Sequence, residues 1–171
     1  MTRRRIAAVF LFALATSVCK RSSKHQASEL LSVVSMDDPR ADSQLLQGFH
    51  MLEEGKWRWT ARQFSVILRP PPGSAQDGAR LELALNIPDV VVKQLGAVTL
   101  SAMAGSISLA PEKYTATGNY VYTRDVPGGV LAGDNLTIDY ALDKAIPAGK
   151  IEKRELGLIV TSVGLVSKSS K

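Results

Sequence analysis

The chain has one cysteine, Cys19, among 171 residues. No internal disulfide can form, so any folded domain must be held together by its core. Histidine is almost as scarce, with only His25 and His50. That excludes a Cys/His zinc cluster, and no acidic calcium loop is present, so no metal is expected. No Gly-x-Ser-x-Gly elbow and no phosphate-cradling glycine loop occur. His50 is the only histidine base within the patterned region, and Glu53, Glu54, Asp125, Asp139 and Glu155 carry no spacing that marks a carboxylate pair. The expectation is therefore no enzyme and no cofactor, with an exported hydrolase as the least supported reading.

Long apolar runs are also missing. The longest is Ile6 to Ala15, half the length of about 20 residues that a bilayer-spanning helix needs. It follows Arg3, Arg4 and Arg5 and ends in small residues before Cys19, the layout of an export signal. Three outcomes stay open: cleavage to a soluble product, lipidation at Cys19, or an uncleaved anchor. Thr16 and Val18 stand where a lipobox carries leucine and glycine or alanine. The expected location is periplasmic or extracellular, with membrane attachment only through this segment or a lipid on Cys19.

An excess of positive charge is largely absent too. The chain has 21 Lys and Arg against 16 Asp and Glu, a formal +5. Three of the arginines lie in residues 1–19, which hold no acid, so residues 20–171 carry 18 positive against 16 negative, a net +2. This is too small to argue for a nucleic-acid partner.

What the sequence does have is strand periodicity. Leu81, Leu83, Leu85 and Ile87 alternate with polar or small residues, as do Leu136, Ile138, Tyr140 and Leu142. That pattern marks strands with one buried face. Val98–Ala102 and Ile107–Leu109 flank Gly105 as a hairpin, and Val90–Leu95 before Gly96 suits a short helix. Pro70-Pro71-Pro72-Gly73, Pro127-Gly128-Gly129 and Gly133-Asp134-Asn135 punctuate the chain as loops. Leu156–Val163 reads as a closing strand. About eight short strands with little helix predict an all-β, antiparallel two-sheet sandwich of jelly-roll or immunoglobulin-like kind. The expected organisation is an export signal at 1–19, a disordered polar linker at 20–44, the sandwich at 45–167 and a basic tail at 168–171.

Aromatics make up only 6% of the chain, yet two groups of them sit beside arginines. Trp57, Arg58, Trp59 and Arg62 form one, and Tyr120, Tyr122 and Arg124 the other. Aromatic rings flanked by hydrogen-bonding groups are how sandwich modules stack sugar rings, so these seven residues are the candidate ligand site. The competing reading is core packing, because Trp57 and Trp59 share one strand face while Arg58 faces the other way.

Gly48-Phe49-His50 followed by Glu54 and Arg58-Trp59-Thr60, together with Arg154-Glu155-Leu156-Gly157-Leu158 and Ser162-Val163, resembles small bacterial β-sandwich modules. Some of these are appended to glycosyltransferases and sugar-associated proteins. The resemblance covers the start and end of the domain. It implies a jelly-roll-like sandwich with a carbohydrate or cell-envelope association, and supplies no catalytic residue. Phe49 and His50 stand where those modules often carry tryptophan or tyrosine. On the residues themselves, Glu54, Arg58 and Arg154 suit a polar network pinning the first and last strands. The leading expectation is an exported, non-catalytic envelope module binding carbohydrate or another envelope component. The alternative is an assembly protein that pairs with a protein partner through edge strands.

Overall fold

A computed structural model of the chain describes residues 29–149 and 152–168. The export signal, Cys19 and most of the basic tail lie outside the described residues. Among the described residues nine strands form: β1 (Val33–Ser35), β2 (Leu45–Phe49), β3 (Arg58–Leu68), β4 (Ala79–Ile87), β5 (Val98–Ala104), β6 (Ile107–Tyr114), β7 (Gly118–Val126), β8 (Leu136–Leu142) and β9 (Ile159–Ser167). Two short α-helices, α1 (Ser74–Asp77) and α2 (Asp89–Leu95), and two 3-10 turns, Ala41–Ser43 and Gly128–Val130, accompany them among the described residues. Among the described residues no helix is long and apolar enough to cross a membrane.

All ladders are antiparallel. β1, β9, β4 and β7 make one sheet, and β2, β3, β8, β5 and β6 the other. The long strand β3 belongs to both. Its first residues pair β9 through Arg58↔Val160 and Trp59↔Ile159, and from Gln63 onward it pairs β8. At the opposite side, the Tyr122 hydroxyl and the Arg124 guanidinium donate to the Ala110 carbonyl, which draws β7 up to the free edge of β6. The sandwich is thereby nearly closed, and these contacts occupy backbone acceptors that a bare edge would present.

The two alternating runs become β4 and β8, each with its apolar set inside. Leu81, Leu83 and Ile87 are fully buried, as are Ile138, Phe64, Val66 and Leu68 from the facing sheet. Each such side chain contributes up to about 1.5–3 kcal/mol of hydrophobic stabilisation. The expected hairpin is β5–β6, turning at Gly105 with φ 57°. The expected short helix is α2, ended by Gly96 with φ 70°.

The start of the domain differs from the sequence reading. From residue 29 the stretch taken as linker belongs to the sandwich. β1 pairs β9 through Val34↔Val163, and Val34, Met36 and Ala41 are buried. Gln44 is buried as well. Its side-chain amide donates to the carbonyls of Leu31 and Ile67 and accepts from the Leu31 amide. It thus substitutes for a missing strand partner and pins residues 31 and 67 together. A three-residue strand is too short to show periodicity, which is why this segment reads as polar coil.

Candidate functional site

The aromatic and basic residues singled out in the sequence do not form one platform. In a sheet, residues paired across strands project to the same side. Trp59 pairs Ile159, which pairs Asn86, which pairs Asn119. Tyr120 and Tyr122 flank that row in the opposite parity, so they project from the other face of the sheet. The tryptophans and tyrosines are also three strands apart, about 14 Å at ordinary strand spacing.

Each member of the set already has a packing or hydrogen-bonding role. Trp59 is 9% exposed, and the half-buried Trp57 meets it edge to face with centroids 6.5 Å apart. Arg58 faces away, as its parity requires, and donates to the Asp42 carboxylate at 2.5 Å and to the His50 carbonyl at 3.2 Å. Arg62 is exposed, with its Nε on the Leu142 carbonyl and its amide on Glu155 Oε1. Tyr122 is fully buried. Arg124 lies 4.2 Å over the Tyr122 ring and donates to the Ala110, Pro111 and Thr123 carbonyls. Tyr120 is half-buried against Tyr114 and donates to the Ala116 carbonyl.

Burial also raises the hydroxyl pKa of Tyr140, Tyr114 and Tyr122 above the ordinary value near 10. A phenol whose pKa rises on folding favours the folded state up to its unfolded value and withdraws that support at higher pH. Alkaline titration should therefore show these three tyrosines still protonated at pH 10. Their phenolate absorbance should appear together with loss of the fold. A smooth titration of these three near pH 10, with the fold intact, would contradict their burial.

Of the expected network of Glu54, Arg58 and Arg154, only Arg154 takes part, with Glu53 and Glu152 as its partners. Arg154 Nη1 donates to Glu53 Oε1 at 2.7 Å, and its Nε and Nη2 grip Glu152 at 3.0 Å. Arg154 holds the Glu152 carboxyl down at about 2. Glu54, expected in this network, instead forms the exposed corner of the turn with φ 50° ahead of Gly55. Arg58 is tied to Asp42, apart from Arg154. His50 Nε2 is 2.7 Å from the Glu155 carbonyl. These bonds attach the segment before β9 to the segment before β3, which is a structural task.

The site with free chemistry lies elsewhere, on the outer face of the second sheet. A groove of about 370 Å³ runs across β2, β3, β8 and β5. Two register rows build it. One runs Met103–Asp139–Ser65–Gln47, and the other Ser101–Ala141–Gln63. Small residues make the floor: Ala141, and Ser101, whose hydroxyl donates to the Ala141 carbonyl at 3.0 Å. Taller side chains make the walls: Gln47, Gln63, Asp139 and Met103, all exposed. Phe64 and Tyr140 lie beneath, stacked at 4.8 Å with an interplanar angle of 12°.

Sequence reasoning missed these residues because it followed the apolar half of each alternating strand. Their signal is the complementary half: Ser101 and Met103 between Leu100, Ala102 and Ala104, and Asp139 between Ile138 and Tyr140. The hollow on the outer face of the other sheet, about 430 Å³ over Ala84, Val121 and Thr161, is poorer in free polar groups. Its Asn119 amide oxygen already accepts from Asn86. Among the described residues no three His, Cys, Asp or Glu side chains cluster as metal ligands do.

No family model matches the chain. No curated protein matches it in sequence. Three solved structures are similar in shape. One is TmCBM27, a carbohydrate-binding module studied for specific mannan recognition, at 15% identity and TM-score 0.45, covering 80% of this chain and 95% of that one. Another is the CBM36-1 domain of a multidomain xylanase from the hindgut metagenome of Trinervitermes trinervoides, at 10% identity and TM-score 0.41, covering 81% and 98%. The third is a CBM4 module, at 7% identity and TM-score 0.32, covering 77% and 81%. At such identities and scores the likeness says nothing of ligand or activity.

Proposed function

We propose that this protein is a non-catalytic module that binds a polysaccharide chain along the outer face of its second sheet. The observation that carries the reading is the groove over Ala141, walled by two carboxamides, a carboxylate and a thioether. A sugar ring presents hydroxyls at its rim and C–H groups on its faces. Gln47 and Gln63 each offer two donors and an acceptor to the rim. Met103 offers a polarisable apolar surface to a ring face. The floor residues are short, so a chain can lie across the strands without displacing a large side chain. The two-sheet scaffold keeps the walls in place, since their neighbours along each strand are core residues. Export by the segment at 1–19 belongs to the same proposal and places the module where polysaccharides are met.

The test is titration calorimetry of the full chain against soluble neutral polysaccharides, repeated with the Gln47→Ala, Gln63→Ala double variant. Each lost hydrogen bond is worth about 0.5–1.5 kcal/mol, so the pair should weaken binding about tenfold or more. Both positions are exposed, and stability should stay within about 0.5 kcal/mol. Binding that survives the double variant unchanged, or no binding of any polysaccharide, counts against the groove.

A further inference from the structure

We propose that Asp139 makes this groove selective against anionic glycans, engaging adjacent hydroxyls of a neutral chain and turning away carboxylated or sulfated ones. The inference rests on the groove being the polysaccharide site and adds which class of chain it takes.

Asp139 stands in the middle of β8, the central strand of the groove, between Ser65 on β3 and Met103 on β5. Its side chain is exposed, and among the described residues it has no ion-pair partner. The groups lining the same groove are Gln47, Gln63, Ser101 and Met103, none of them cationic. Two cations on the groove's own strands or just beyond them are committed elsewhere: Arg62 to the Leu142 carbonyl, and Lys144 to the carbonyls of Leu95 and Ala97. The groove therefore carries one uncompensated negative charge.

A carboxylate with both oxygens free accepts two hydroxyl protons at once, and such charge-assisted bonds are stronger than neutral ones. Two neighbouring hydroxyls of a pyranose match that fork. A uronate or sulfate brought into the same space meets a like charge over a floor too shallow to neutralise it. The carboxamides on either side accept or donate with equal ease, so they do not distinguish neutral from charged chains. Discrimination falls to Asp139.

The experiment compares wild type and Asp139→Asn, a shape-preserving change that removes the charge, at one fixed ionic strength. The probes are galactomannan and xylan as neutral chains, polygalacturonate as an anionic chain and chitosan as a cationic one. Expected for wild type is binding of a neutral chain and none of polygalacturonate. Expected for Asp139→Asn is neutral-chain binding weakened about tenfold, with polygalacturonate binding gained or unchanged. Circular dichroism and the denaturation midpoint should match wild type, because Asp139 is exposed. Polygalacturonate bound by wild type as tightly as the neutral chain would overturn the proposal. So would unchanged neutral-chain affinity in Asp139→Asn, or chitosan bound as tightly by Asp139→Asn as by wild type. Failure of every chain with both proteins removes the polysaccharide reading itself, a result distinct from binding without discrimination.

Discussion

Phe64→Ala should destabilise the fold by roughly 3–5 kcal/mol. Phe64 is fully buried, stacked on Tyr140 at 4.8 Å and met edge-on by Phe49 at 5.3 Å. Truncation removes both contacts and leaves a void that neighbours on opposite sides cannot easily fill, since they are fixed in separate ladders. The position also matters. Phe64 lies on β3, the strand shared by the two sheets, next to Gln63 of the groove. Loss of the ring removes support from the groove floor as well as from the core. Urea unfolding followed by fluorescence should show a lower midpoint with an unchanged slope. Phe64→Leu, which keeps most of the volume, should cost markedly less. Equal losses for the two variants would mean that the ring stack, not the volume, holds this part of the sandwich.

The strands that were legible in the sequence are those whose pattern is set by one dry and one wet face. Leu81–Ile87 and Leu136–Leu142 alternate over their full length, and β4 and β8 follow that alternation. Gly105 and Gly96 were legible because their turns need a positive φ. Residues 29–44 were not. Val34 and Met36 are buried only because β9 lies beside them, and the polar Gln44 is buried because it replaces a backbone partner. Nothing local announces either fact. Pairing with residues far along the chain decides the first, and bonds to Leu31 and Ile67 decide the second.

The site divides along the same line. That Trp57 and Trp59 share a face and Arg58 opposes them follows from parity, and the edge-to-face pair and the Arg58–Asp42 bond agree with it. Whether an aromatic is core or surface does not follow from parity. Tyr122 is buried because the two sheets close over it, and its hydroxyl is satisfied by Ala110 on a different strand. Glu53 rather than Glu54 meets Arg154 because Glu54 turns the corner with positive φ. The groove residues are ordinary polar side chains in sequence. Only the register that sets Gln47, Ser65, Asp139 and Met103 in one row makes them a surface.

Gly48→Ala should both destabilise the protein and abolish the glycan binding proposed for the groove. Gly48 sits in the irregular part of the β2–β3 ladder, where the register shifts between Gln47 and Phe49, and its φ is 73°. An added Cβ would lie 2.0 Å from the Gln63 carbonyl oxygen and 2.7 Å from the Phe64 Cα. Both are backbone atoms of a strand held on two sides, so no side-chain rotation relieves the overlap. The left-handed conformation costs an L-residue about 1–2 kcal/mol, and the overlap adds about 1–3 kcal/mol. β2 pairs only β3, so the cheapest relief is for β2 to peel away, which caps the stability loss and carries Gln47 out of the groove. Hydrogen exchange should then accelerate across Leu45–Phe49 while β8 stays protected. Gly55→Ala is the matched control: its φ is 66°, yet an added Cβ meets nothing within 4 Å. It should show the conformational cost alone and keep glycan binding, so the difference between the two variants isolates the contact that seats β2 against Gln63.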